Sequence, residues 1–263
     1  MAYAGRLAII AGGLGGLGSS IGLRLQKEGA RLALLYAPFE ASRRDAVLEK
    51  VYGSSNPTGV TAVECDIASD PSVREAFPRI EKYAKGNDIF PSILINAAGY
   101  VSVSPLAETT AEEATKNIVP NLLGPMFVSQ AFHRLYTSYP STQEKPPGRI
   151  VSISSQAAHV ALDGHGPYCA SKAGLNALTR CMALEWSPLG ITCNTVSPTV
   201  VLTELGKKAW ADPVKRKAME SQIPTGRFAV PEEIAGAVEF LCRDESGMIS
   251  GEDLRVDGGY TQR

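Results

Sequence analysis

The 263-residue sequence predicts an α/β fold, a doubly wound seven-stranded parallel sheet in a single domain over residues 1–263. Three observations carry that expectation. Near the N-terminus an apolar run leads through a glycine-rich turn into a helix-spaced segment and a second apolar run, which is a βαβ unit whose strands must be parallel. The same alternation of β-prone runs and helix-spaced segments recurs to about residue 256. Polar residues Asp66, Asn96 and Ser155 stand at the ends of such runs, the carboxyl edge where open parallel sheets bind ligands.

Residues 6–11, RLAIIA, are short and apolar and feed into Gly12-Gly13-Leu14-Gly15-Gly16-Leu17-Gly18. Residues 19–28 place Ile21, Leu23 and Leu25 at helical spacing and stop at Gly29, as a C-cap glycine would. Such glycines let the backbone turn sharply and approach a pyrophosphate, whose charge the helix N-terminal amides meet. Alone the segment reads also as a flexible loop; between a strand and a helix it reads as a dinucleotide turn. Residues 32–36 form the second strand. An acid at its end would hydrogen-bond the adenosine ribose and repel a 2′-phosphate, but here stands Tyr36, with Arg43-Arg44 beyond as either a phosphate contact or a solvated pair.

Strands follow at 60–65 and 92–96 with a helix at 72–83 between them. Residues 108–139 read as mainly helical, interrupted by Pro120 and Pro125; Pro120 removes a helix hydrogen bond just before Asn121, which marks either a site or a helix boundary. A polar, proline-rich surface loop at 140–148 precedes a strand at 149–154, a helix at 168–186 and a strand at 191–196. Residues 199–229 form an irregular segment expected to close over substrate, and a helix at 232–243 and a strand at 254–256 complete the chain.

Composition narrows the function. With 44% hydrophobic and 20% charged residues and a net charge of −1, nothing favours nucleic acid or an anionic membrane surface; a small neutral or mildly polar ligand is expected. The five cysteines are odd in number and lack CxxC spacing, so reduced thiols in a cytoplasmic protein are expected, with no disulfide framework and no zinc site. The first apolar run is too short for a signal peptide, and no segment reaches membrane-spanning length. His133, His159 and His165 fit no metal-binding helix motif and read first as structural residues.

Tyr168 and Lys172, four apart in a helix-spaced segment, leave one helix face. A cation beside a phenol lowers its pKa, as a general acid/base acting on an alcohol or carbonyl requires, and Ser155 can hydrogen-bond the reacting oxygen. Alone, the pair reads equally as a surface i,i+4 contact.

Taken together these residues resemble the short-chain dehydrogenase/reductases along essentially the whole chain. The glycine motif falls on Gly12, Gly16 and Gly18, the adenine-side acid on Asp66, the Asn-Asn-Ala-Gly element on residues 96–99, and the tetrad on Asn121, Ser155, Tyr168 and Lys172. Two departures are Ala11, where threonine is usual, and Ala97, where the second asparagine stands. The resemblance implies a Rossmann fold and cofactor contacts from Leu17, Tyr36, Ile67, Asn96, Gly99, Pro198, Val201 and Thr203 as well as Tyr168 and Lys172.

The C-terminal half is most similar to the L-xylulose (dicarbonyl/xylulose) reductases and bacterial polyol dehydrogenases, through Ser154-Ser155-Gln156, His165, Tyr168-Cys169, Pro198-Thr199-Val200-Val201 and Trp210. That likeness implies Gln156, His165 and Trp210 as contacts for a hydroxylated chain, Trp210 otherwise packing within its own segment. It implies NAD(P)-dependent interconversion of a polyol or secondary alcohol with a ketose or ketone. Because Tyr36 removes the excluding carboxylate, NADP(H) is favoured over NAD(H), against the absence of a basic side chain at Gly15. A homotetramer is implied too, with helices from 112–139 and 168–186 at an interface. The alternatives are a reductase of 3-ketoacyl-thioester, aromatic or steroid-like ketones, and a non-catalytic dinucleotide-binding interaction protein.

Overall fold

The seven apolar runs form β1 (Arg6–Ala11), β2 (Arg31–Tyr36), β3 (Val60–Glu64), β4 (Phe90–Asn96), β5 (Gly148–Ile153), β6 (Ile191–Pro198) and β7 (Asp253–Val256). They make one parallel sheet in the order β3-β2-β1-β4-β5-β6-β7. The computed structural model describes residues 1–140 and 145–262; residues 141–144 of the expected 140–148 loop lie outside the described residues. The central strands read as apolar runs because both faces are covered. Along β1, Leu7, Ile9 and Ala11 enter one core while Ala8 and Ile10 enter the other, the period of two that a strand imposes.

Helices α1 (Gly16–Lys27), α2 (Arg44–Tyr52) and α9 (Pro231–Cys242) contribute Ile21, Leu25, Leu48, Ile234, Val238 and Leu241 to one face. On the other, α3 (Asp70–Gly86), α5 (Gly124–Ser138) and α6 (Gly166–Trp186) contribute Val73, Phe77, Ile80, Val128, Phe132 and Met182. Each such buried side chain is worth roughly 1.5–3 kcal/mol. Strand order reverses between β1 and β4, where Ala11 lies opposite Asn96, so the glycine turn after β1 and residues 97–99 open into the same crevice.

Three expectations require correction. The helix from 108 to 139 is not broken at its prolines: α4 (Ala111–Ile118) passes through a single π turn, Val119–Leu123, into α5. Neither Pro120 nor Pro125 has an N–H to donate, and the wider turn between them absorbs the lost bonds without ending the helix. Nor is 199–229 irregular. It holds α7 (Glu204–Ala209) and α8 (Pro213–Glu220), each started by a side-chain cap: Thr203 accepts from the Gly206 N–H, and Asp212 from the Val214 and Lys215 N–H groups. The segment is tied to the body by a parallel bridge between Val201 and Ala229. The strand expected at 92–96 begins two residues earlier, at Phe90, with Pro91 accommodated where the β1–β4 register shifts.

Candidate active site

The carboxyl ends of β1, β4, β5 and β6 converge on one crevice. At its floor, Gly12 has φ +77°, and a Cβ there would stand 2.7 Å from the Ala98 backbone; a Cβ on Gly18 would stand 2.2 Å from the Gly12 carbonyl oxygen. The turn is closed this tightly only because both are glycine. It delivers α1 with Gly15 as N-cap, no side-chain cap and no acid in its first turn, so the first amides of a twelve-residue helix are open to an anion. That arrangement fits the pyrophosphate of a dinucleotide. Leu17 is half-buried against the α1-side core, and a Cβ on Gly16 would meet the Thr203 Cβ at 2.7 Å, which places the start of α7 directly over the turn.

Tyr36 ends β2, buried, and the Arg44 guanidinium lies between its side chain and the Asp45 carboxylate, 2.7 Å away. Arg43 is paired with the buried Glu40 carboxylate, which also accepts the Ala37 N–H at 3.0 Å. Both arginines therefore already carry an acidic partner. Asp66, after β3, is held in a local turn, its Oδ1 accepting the Ala68 N–H and its own N–H donating to Ser72 Oγ, while Ile67 packs beneath Gly124. The Asn96 side chain turns into the core, its Nδ2 donating to Ser129 Oγ and Ser152 Oγ at 3.1 Å each, and its Oδ1 has no partner. Any contact it makes across the crevice is thus a backbone contact.

Ser155, Tyr168, Lys172 and Asn121 come together. Ser155 caps the short 3-10 turn Gln156–Ala158, its Oγ accepting the Ala157 N–H at 3.1 Å. Tyr168 lies in the first turn of α6; burial pushes its phenol pKa up, and only the neighbouring Ser155 hydroxyl acts in the opposite direction. The expectation that Lys172 lowers it is not met. Lys172 Nζ is 5.7 Å from the Tyr168 ring centre, donates to the Ile153 carbonyl at 2.9 Å, and is so buried that its own pKa is driven down to about 8. For both groups burial is the dominant cause.

Asn121, fully buried in the π turn, donates from Nδ2 to the Tyr100 carbonyl (2.7 Å) and Ser171 Oγ (3.1 Å) and accepts the Tyr100 N–H at Oδ1 (2.8 Å). Gly99 lies between it and the lysine: a Cβ there would be 3.0 Å from Asn121 Oδ1 and 3.6 Å from Lys172 Nζ. The sequence reading missed Tyr100 and Ser171 as the groups that hold Asn121; the one signal was the position of Ser171 inside the Tyr-x-x-x-Lys stretch.

Gln156 is 5% exposed beside Ser155, and its Oε1 has no hydrogen-bond partner among the described residues. His165 precedes α6 without capping it by its side chain, its ring 6.3 Å from that of Tyr168 and its Nδ1 2.6 Å from the Asp163 carbonyl. Trp210, at the end of α7, packs edge-on to Phe228 at 5.3 Å, so packing within its own segment is what the structure displays. Pro198 ends β6, buried, followed by Thr199, whose buried Oγ1 is also without a partner. Of the other histidines, His133 stacks on Trp186 at 4.8 Å and His159 meets Asp253 at 2.6 Å. Among the described residues no His/Cys/Asp/Glu group is arranged to hold a metal ion, and no helix is long and apolar enough to cross a membrane.

A family model described as enoyl-(acyl carrier protein) reductase matches residues 12–261. D-threitol dehydrogenase of Mycolicibacterium smegmatis is 38% identical over 98% of this chain and 93% of its own. L-xylulose reductase of Mesocricetus auratus is 35% identical over 99% and 98%. Among solved structures, a gluconate 5-dehydrogenase from Burkholderia cenocepacia J2315, in complex with NADP and tartrate, superposes with a TM-score of 0.84 at 27% identity, covering 99% of this chain and 96% of that one.

Proposed function

The chain belongs to the short-chain dehydrogenase/reductase family, and we propose that it is an NAD(P)-dependent oxidoreductase interconverting a polyol with the corresponding ketose. The observation that carries the substrate class is the orphaned, buried Gln156 Oε1 beside Ser155. A buried acceptor left unmade costs about 1–3 kcal/mol, and a substrate hydroxyl would supply the missing donor. An aliphatic ketone could not, so the same atom that favours a polyol disfavours an apolar chain. The names of full-length relatives support this class, against the acyl-carrier substrate in the description of the family model.

In reduction, Ser155 Oγ holds the carbonyl oxygen and Tyr168, whose raised pKa keeps the phenol protonated at neutral pH, donates the proton to it. When bound, the dinucleotide supplies the hydride. The uncapped amides of α1 and the turn through Gly12, Gly16 and Gly18 would receive its pyrophosphate, and Leu17, Tyr36, Asp66, Ile67, Asn96, Gly99, Pro198, Val201 and Thr203 would contact it along its length. Lys172 would hold the nicotinamide ribose. Asn121 keeps one Oδ1 lone pair and the π-turn backbone with which to position a water linking Lys172 to solvent. His165, its ring 6.3 Å from that of Tyr168, would complete the substrate side, and the 199–229 segment, with Trp210 held on Phe228 within it, would cover it.

NADP(H) is favoured over NAD(H) because Tyr36 offers no carboxylate and Arg44 lies against it; the acids paired with Arg43 and Arg44 keep that preference small. The homotetramer, with α5 and α6 at its interface, is part of the same proposal, and five free thiols support a cytoplasmic setting. Initial-rate reduction of L-xylulose with NADPH and with NADH, beside diacetyl as an apolar control, tests the reading. Turnover of the ketose is expected, with Gln156→Leu slowing it about tenfold or more while diacetyl changes little. Reduction of diacetyl alone would overturn the polyol assignment.

A further inference from the structure

The catalytic serine does not stand on a free loop. Its carbonyl accepts the Ala158 N–H at 2.9 Å, its Oγ accepts the Ala157 N–H, and the Gln156 carbonyl accepts the N–H groups of His159 (2.9 Å) and Val160 (3.2 Å). Ser155 and Gln156 are therefore fixed by one short turn that ends at His159. A single 3-10 turn is a weak element by itself. What anchors its far end is the His159 ring, whose Nε2 lies 2.6 Å from Asp253 Oδ2. A carboxylate oxygen only accepts, so Nε2 carries the N–H and donates.

Asp253 is itself held. Its Oδ1 accepts hydroxyl protons from Thr195 (2.6 Å) and Ser197 (2.7 Å), both buried on β6, and its backbone pairs β7 with β6 at Thr195. The carboxylate thus joins the turn that presents Ser155 to the strand that runs on to Pro198 and Thr199 at the other side of the crevice. His159 and Asp253 side chains are 26% and 15% exposed, enough shielding for the bond to be directional and enough access for a small molecule to reach it.

We propose that the His159–Asp253 pair is a positioning clamp that sets the Ser155 hydroxyl and the Gln156 amide against the reacting carbonyl. It rests on the polyol-oxidoreductase reading above. Neither residue touches substrate; they act through the turn. Misplacement of a reacting group by about 1 Å costs on the order of 100-fold in rate, so a clamp of this kind is read in kcat before it is read in folding.

The test compares His159→Ala, His159→Gln and Asp253→Asn with the parent protein. For His159→Ala, kcat for ketose reduction is expected to fall about tenfold or more while the KM for NADPH stays within about twofold and thermal unfolding stays cooperative. Amide exchange in the peptide covering residues 155–160 is expected to accelerate. His159→Gln, which retains a side-chain N–H donor, is expected to recover most of the rate, and added imidazole to rescue His159→Ala in part. Parent-like kcat together with unchanged exchange in His159→Ala overturns the clamp. Equal loss of cofactor binding and cooperative unfolding in both His159→Ala and Asp253→Asn also overturns it, in favour of a purely structural pair. The exchange measurement needs no substrate, so a parent protein inactive on every ketose sinks the polyol reading while the clamp is still judged on exchange and its rescue by glutamine.

Discussion

Lys172 shows how burial and function meet in one side chain. An ammonium that titrates near 10.4 in an unfolded chain titrates at about 8 here, so between those values the unfolded chain holds a proton that the native chain has shed. Its contribution to stability therefore improves as pH rises from about 8 towards about 10. The stability difference between the parent and Lys172→Met, from urea unfolding, is expected to shift towards the parent by roughly 2 kcal/mol between about pH 7 and about pH 10. The comparison cancels groups common to both proteins, and a pH-independent difference would mean that the amine is solvated. Tyr168 and Lys172 were legible in the sequence because a spacing of four fixes their common face whatever surrounds them. Their pKa directions were not, because these depend on how much protein encloses both groups. His159 and Asp253, 94 residues apart, escape local pattern altogether.

At the scale of elements, the strand, glycine turn and α1 were readable because each carries its own local signal. The π turn was not: Pro120 announces a lost hydrogen bond, but whether a helix ends or widens is decided by the packing of α4 and the turn against α6 and of α5 against α3. The caps Thr203 and Asp212 were present in the sequence, yet the helices they start are six and eight residues long and carry little periodic signal. The turn itself is intolerant of volume. Gly18→Ala puts a methyl group 2.2 Å from the Gly12 oxygen, so the backbone must move. We expect a loss of roughly 1–3 kcal/mol in stability and a larger loss in dinucleotide affinity, read by fluorescence titration; unchanged affinity would remove the turn from the binding site.

For the molecule as a whole, the α/β class and all seven strands followed from hydrophobic periodicity, while the sheet order came from tertiary pairing that no single segment encodes. The five thiols sample the result. Burial pushes the Cys65 thiol up to about 11 and those of Cys193 and Cys242 up to about 12, whereas Cys181 is exposed on α6. Alkylation of the native protein followed by peptide mapping is expected to mark Cys169 and to leave Cys65, Cys193 and Cys242 untouched until unfolding, while Cys181 is protected in the proposed tetramer and marked in a monomer. Early labelling of Cys193 or Cys242 would contradict the packing of β6 or α9. The sheet order also governs how the chain is made. β1 lies inside the sheet, flanked by β2, which follows it closely in sequence, and by β4, whose pairing starts with Arg6 opposite Phe90. While the ribosome is still short of Phe90, the nascent chain holds an apolar strand with one edge unsatisfied, the state most prone to wrong pairing with a neighbouring polysome product or to capture by a chaperone.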